Sequence, residues 1–214
     1  MFQGSIRLLL CAAFAGTLAL PGSARAHPHV WVTVATEVLY AADETVTGVR
    51  HHWTFDDMFS SFAIQGLDTN NDGKYSREEL QSLAEVNVTS LKEFDYFTHA
   101  KNDGGKLALV DPKDYWLELV NSKLTLHFTL PVKTPVKAKA FELDIYDTSF
   151  FVDFTLQEKD PVKLVDAPAT CTLASSKKGT ETASKPLSES FFNSLGPTSS
   201  FGSQFANKIS VKCA

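Results

Sequence analysis

From Val30 to Tyr40 apolar and polar residues partly alternate, with Trp31, Val32, Val34 and Val38 as the apolar set. A polar break at Ala41–Thr45 leads into a second run, Val46–Phe55. Two such runs around a short, turn-rich loop predict a β-hairpin. The period then changes. Met58, Phe59, Phe62, Ala63 and Leu67 fall at helical spacing, and Leu80, Leu83, Ala84, Leu91 and Phe94 do so again after a polar stretch. Beyond them the chain returns to strands. Phe94–Lys101 and Lys106–Val110 flank Asn102-Asp103-Gly104-Gly105, a strong hairpin turn. Tyr115–Val120, Lys123–Leu130, Ala138–Tyr146 and Phe150–Leu156 continue the series. In Lys123–Leu130 the alternation is clean: Leu124, Leu126, Phe128 and Leu130 share one face, and Thr125, His127 and Thr129 the other. The expected fold is mainly β, antiparallel and sandwich-like, with a helical insertion at about 56–92, an α+β arrangement.

The first 26 residues do not belong to that fold. Arg7, the apolar run Leu8–Leu20 and the small-x-small site Ala24-Arg25-Ala26 have the layout of a secretory signal peptide. The apolar run is shorter than the roughly 20 residues a membrane span needs. The expected product is therefore residues 27–214, a single exported domain, periplasmic, with no membrane insertion after cleavage. Removing 1–26 takes away Arg7 and Arg25 and no acid. The 20 basic residues become 18 against 25 acidic ones, a net charge of −7. Such a chain lacks the basic surface that nucleic acid or an anionic membrane requires. The two cysteines left, Cys171 and Cys213, are expected to form one disulfide in an oxidising compartment. It would close a loop of about 40 residues and contribute about 3–4 kcal/mol. The polar stretch 175–185 reads as a linker before a short C-terminal segment.

The insertion carries DTNNDGKYSREE, residues 68–79. Set against the twelve-residue EF-hand loop, Asp68, Asn70 and Asp72 take positions 1, 3 and 5, and Gly73 takes the sharp bend at 6. Lys74 offers a backbone carbonyl at 7, Ser76 fills 9, and Glu79 is the bidentate carboxylate at 12. Ca²⁺ takes six to eight oxygens, and alternate residues of a tight loop turn theirs inward. Ser76 and Glu79 also spell a capping box for the exiting helix. A lone loop of this kind reads as a structural calcium clip.

Cleavage after Ala26 would make His27 the first residue. Its α-amine and imidazole could then chelate one metal, with His29 two residues on along the same strand face. Pro28 has no N–H, which excludes the square-planar motif that needs a deprotonated amide at the second position. The set is an amine plus imidazoles, in the manner of a histidine brace, suited to Zn²⁺ or Cu²⁺, with Ni²⁺ possible. The hairpin returns Phe55-Asp56-Asp57 opposite this end, so Asp56 or Asp57 could add a carboxylate. His51 and His52 fall nearer the turn and read as ordinary strand histidines, as do His99 and His127.

HPHVW after the leader, WTFDD (53–57), FDYFTH (94–99), LHFTLP (126–131), YDTSFFVDF (146–154) and FGSQFANKISVKC (201–213) together carry a resemblance. The chain resembles a family of exported bacterial proteins of unassigned function, described as periplasmic components of uncharacterised ABC-type transport systems. The resemblance implies a link to zinc homeostasis and a membrane metal permease as partner. The family's W-T-F/M-D motif matches Trp53 to Asp56 and favours Asp56 over Asp57. Its late D-P-S/T-Y-Y/F motif here reads Asp147-Thr148-Ser149-Phe150-Phe151, without the proline and tyrosine. The leading expectation is a metal-binding accessory of a divalent-metal transport system, and not an enzyme. The alternatives are a copper-dependent oxidative enzyme using a histidine brace, and a calcium-stabilised scaffold or adhesion domain.

Overall fold

The computed structural model describes residues 28–176 and 201–214. The leader 1–26, His27 and all but the first two residues of the polar stretch 175–185 lie outside the described residues.

Strands β1 (Val30–Tyr40) and β2 (Val46–Phe55) pair antiparallel with the ends that the alternation predicts. Asp43 ties their turn, its Oδ1 accepting from the Thr45 amide at 3.1 Å and the Thr45 hydroxyl at 2.7 Å. Helices α1 (Asp57–Ala63) and α2 (Arg77–Leu91) follow, joined by the loop that holds the acidic motif. The remaining strands are β3 (Thr98–Asn102), β4 (Gly105–Leu107), β5 (Tyr115–Val120), β6 (Lys123–Val136), β7 (Ala140–Ile145), β8 (Val152–Leu156), β9 (Val162–Val165), β10 (Thr172–Ser176) and β11 (Asn207–Lys212). One sheet runs β5-β6-β2-β1-β8, with β9 also on β1, and the other runs β10-β11-β7-β3-β4.

The two sheets share one core. Alternate residues of β2 and β6 turn Val49, Trp53, Leu126 and Phe128 inward, where they meet Phe97, Leu143, Ile145 and Ile209 from the facing layer. Trp53 makes an edge contact with Phe128 at 4.8 Å and lies 6.4 Å from Phe97 across the interface. Each such side chain, fully buried, contributes about 1.5–3 kcal/mol.

Two expectations need correction. The domain is not purely antiparallel: β8 and β9 both run parallel to β1. After β7 the chain leaves the second sheet through the Asp147–Phe151 turn and enters the first at the edge of β1. A segment that arrives by crossing between layers is free of the hairpin constraint that enforces antiparallel pairing. The strand predicted from Phe94 begins only at Thr98, because Lys92–Phe97 is a tight turn with Asp95 and Tyr96 at φ 51° and 52°. Its aromatic residues bury against the core without the extended backbone that their spacing suggested.

The disulfide Cys171–Cys213 is present, linking the entry of β10 to the exit of β11 over 42 residues. The short turn Phe201–Phe205 before β11 packs onto the Asp147 turn. There the Gly202 amide donates to the Thr148 carbonyl at 2.9 Å, and a Cβ at Gly202 would run into the Asp147 carbonyl oxygen. Gly202→Ala is therefore expected to destabilise the protein by about 3 kcal/mol. Urea unfolding checks it, and a change under 1 kcal/mol would show that the turn yields freely.

His51 points into this core. Thr98 Oγ1 donates to the Tyr96 carbonyl at 2.7 Å, so it accepts from His51 Nε2 at 3.2 Å. His51 Nδ1 then accepts from Thr36 Oγ1 at 3.0 Å, which defines a neutral Nε2–H imidazole. Burial pushes its pKa down from 6.5 to about 3. Because the folded value lies below the unfolded one, the stabilisation is complete above pH 6.5 and is lost as pH falls toward 3. The slope is about 1.4 kcal/mol per pH unit. Unfolding series at pH 6, 5 and 4 should approach that slope, and His51→Gln should flatten it while lowering stability at pH 7.

Candidate functional site

Of the residues predicted for the terminal site, His29 and Asp56 lie where β1 begins and β2 ends. Asp56 joins the two strands. Its amide donates to the Trp31 carbonyl at 3.0 Å, and its Oδ2 accepts from the Trp31 amide at 3.0 Å. Its Oδ1 accepts from the Phe59 amide at 2.9 Å and so caps α1. Each carboxylate oxygen thus holds one backbone donor and keeps a second lone pair. Asp57, the other candidate, turns toward β6 and pairs with Lys123 at 3.6 Å. His29 lies two residues from Trp31, its amide donating to the Phe151 carbonyl at 2.9 Å and its ring stacked on Phe151 at 4.6 Å. His27 falls outside the described residues, so this corner contributes one imidazole and one carboxylate.

Phe151 is held by a carboxylate that the sequence marks only as the first residue of the late motif. Asp147 is buried at 3% exposure. Its Oδ1 accepts from the Ser149 amide and hydroxyl, both at 2.8 Å. Its Oδ2 accepts from the amides of Phe151 and Val152 at 2.9 and 3.0 Å. The turn stands beside an apolar cavity of about 540 Å³ walled by Trp53, Phe55, Phe59, Phe97, Phe151 and Phe154.

The acidic loop joins α1 and α2 as a helix–loop–helix. Asp68 accepts from the Asp72 and Gly73 amides at 3.1 and 3.0 Å, and Asn70 Oδ1 accepts from Asp72 at 2.8 Å. Asp72 Oδ1 accepts from the Lys74 amide at 2.8 Å, and Gly73 makes the bend with φ 75°. Glu79 clasps the ends, Oε1 on the Thr69 amide and Oε2 on the Ser76 amide, both at 2.9 Å. The hydrogen bond from the Ser76 backbone is the largest cause that holds its pKa down at about 2. Ser76 Oγ returns the capping-box contact to Glu79 at 3.2 Å.

A further group stands on the outer face of the first sheet. His52 of β2 and His127 of β6 are directly paired, with Trp116 of β5 the next residue across. The two Nδ1 atoms lie 2.6 Å apart. His127 Nε2 meets Glu118 Oε1 at 2.9 Å, and its ring stacks on Trp116 at 4.6 Å. His52 Nε2 lies 3.9 Å from Glu37 Oε1, and Glu37 Oε2 pairs with Arg50 at 2.9 Å. Burial lowers the pKa of His52, and the neighbouring His127 lowers it further. Neither ring joins His29: Ala35, the partner of His52, is six residues along β1, about 20 Å away. His99 belongs to the second sheet, stacked near Tyr146 at 4.4 Å, and stays apart as well. Among the described residues no three His, Cys, Asp or Glu side chains form a cage for a metal ion.

His127 was visible as the lone ring on the polar face of a clean strand, and His52 as the outward neighbour of a core position. What local pattern could not supply was the adjacency of β2 and β6, which are separated by more than sixty residues.

Two packed sheets, a helix–loop–helix and a disulfide define a mainly β protein, and no helix among the described residues is long and apolar enough to cross a membrane. Over residues 12–213 the chain matches the model of a family described as "protein of unknown function (DUF1007)", and it belongs to that family. It is similar to an "uncharacterized 15.5 kDa protein in trpE 3'region" of Spirochaeta aurantia, 30% identical over 102 residues. That match covers 47% of this chain and 73% of the relative.

The two roles open to Asp56 separate by substitution. Asp56→Asn keeps one oxygen for the Phe59 amide but turns a donor toward the Trp31 amide and should cost about 1 kcal/mol, whereas Asp56→Ala leaves both amides without an acceptor and should cost about 2 kcal/mol. Thermal unfolding of both variants checks the cap, and equal losses would remove it as the reason for this residue.

Proposed function

We propose that this protein is an exported, periplasmic metal-binding accessory of a divalent-metal transport system, with Zn²⁺ as its cargo and a membrane permease as its partner. The observation that carries the reading is the contact between Asp56 and the backbone of Trp31, two residues from His29. It keeps a carboxylate at the same corner as His29. In the proposed site the α-amine and imidazole of His27 and the imidazole of His29 are joined by Asp56, three nitrogens and one oxygen, a donor set that suits zinc. A carboxylate already fixed by two amides needs little further ordering to accept a cation.

The test is to sequence the mature N-terminus and titrate Zn²⁺ and Cu²⁺ into the cleaved protein. The same titrations are run on a variant with one alanine added before His27. The expected first residue is His27, and the added alanine should weaken zinc binding at this site at least tenfold by removing the amine from the chelate. Equal affinities would refute the terminal site. A preference for copper with an open axial position would favour the oxidative-enzyme reading instead.

The helix–loop–helix is proposed to hold Ca²⁺ through Asp68, Asn70, Asp72, the Lys74 carbonyl, Ser76 and Glu79. The inward turn of the Asp68, Asn70 and Asp72 oxygens and the bend at Gly73 support it. Millimolar Ca²⁺ should raise Tm by about 3 °C or more, and Glu79→Gln should abolish the rise. No calcium uptake at that concentration in equilibrium dialysis would refute the clip.

A further inference from the structure

We propose that His52 and His127 form a second transition-metal site, in which the two Nδ1 atoms bind one borderline divalent cation such as zinc. The site is independent of the terminal one.

The geometry points there in three steps. First, the two Nδ1 atoms face each other at 2.6 Å, a separation that two bare lone pairs do not tolerate. Something positive must lie between them, and a single proton is the smallest candidate. Second, the far nitrogen of each ring faces a carboxylate. Glu118 Oε1 is 2.9 Å from His127 Nε2, which makes that nitrogen the proton carrier and leaves His127 Nδ1 as a lone pair. If the proton of the pair then sits on His52 Nδ1, neutral His52 turns an unprotonated Nε2 toward Glu37 at 3.9 Å. That arrangement opposes a lone pair to an anion. Third, a cation between the rings resolves the conflict. Both imidazoles then take the Nε2–H form, both Nδ1 atoms donate to the metal, and both Nε2–H groups point at carboxylates. Metal-bound histidines have this second set of contacts as a rule, because a carboxylate on the distal N–H orients the ring and raises its basicity.

The dimensions allow it. Two nitrogens at 2.0–2.1 Å from a tetrahedral ion stand about 3.3 Å apart, so the rings need to open by well under 1 Å. His52 can supply that movement, since 27% of its side chain is exposed, while His127, at 11%, is held by its stack on Trp116. Glu37 and Glu118 together match the charge of a divalent ion, with Arg50, paired with Glu37 at 2.9 Å, leaving one net positive charge. With only two protein donors, the ion keeps positions for water or for a donor from another molecule. Such a site exchanges its metal; it does not store it.

The experiment is a calorimetric titration of Zn²⁺ into the cleaved protein, wild type against His52→Gln, His127→Gln and Glu118→Gln. These are paired with imidazole ¹⁵N spectra of the wild type. The expected result is that either histidine substitution removes one zinc equivalent or weakens it at least tenfold. Glu118→Gln, which keeps both rings, should weaken the same equivalent about tenfold or more. The alanine added before His27 should leave this equivalent untouched, and zinc should move the Nδ1 signals of both rings. If a histidine substitution prevents folding, Glu118→Gln and the Nδ1 signals carry the decision. Unchanged stoichiometry and affinity in the variants, or Nδ1 signals that ignore zinc, would overturn the proposal. It would then leave a proton-sharing pair with a purely structural role.

Discussion

The two-residue pleat of β2, fixed by β1 on one side and β6 on the other, decides what each member of His51-His52 does. His51 turns inward to two threonine hydroxyls and is neutral, while His52 turns outward to the His127 ring and the Glu37 carboxylate. A slip of one residue would exchange them. It would also send Arg50 into the core and bring Trp53 to water, so the cost of the wrong register is far above the stability of a single domain. Packing of Trp53 against Phe128 and Phe154 therefore sets the outer histidine row without touching it. Core and surface chemistry here are two readings of the same hydrogen-bond register.

Local pattern revealed much of this. The ends of β1, β2 and β5 coincide with the changes in alternation, the inward set of β6 is the one its leucines indicate, and the capping box at Ser76 marks the start of α2. What stayed hidden is non-local. Whether β8 lies parallel or antiparallel to β1 depends on the path between layers, and no residue in Val152–Leu156 encodes it. The partner of His127 depends on which strand lies beside β6. Asp147 was quoted as part of a motif, yet its work is to gather three amides and a hydroxyl in a turn whose shape only the fold reveals.

Asp56 illustrates how one residue can serve fold and chemistry together. One oxygen of Asp56 caps α1 through the Phe59 amide, and the other ties the hairpin end through the Trp31 amide. The same contacts fix the carboxylate rigidly at the end of the hairpin. Preorganisation of this kind is what a ligand needs, so the structural role does not compete with the proposed one. The separation between Asp56→Asn and Asp56→Ala follows from it: an amide oxygen can still cap α1, but only the carboxylate accepts from both amides and carries charge.

The acidic loop differs from the two histidine centres in donor chemistry, and this keeps it from competing with them for one ion. The loop at 68–79 offers carboxylate, amide and hydroxyl oxygens, a set that favours a hard cation of larger radius. The terminal corner and the His52–His127 pair offer imidazole nitrogens, which prefer zinc or copper over calcium by a wide margin. They lie about 20 Å apart along β1, too far to share a cation. In the proposed terminal set four donors would close around an ion, whereas the proposed sheet pair would leave half of a tetrahedral shell open. On the proposed reading the closed site favours retention and the open one favours transfer. A protein that must both capture a metal and give it up has use for the two together.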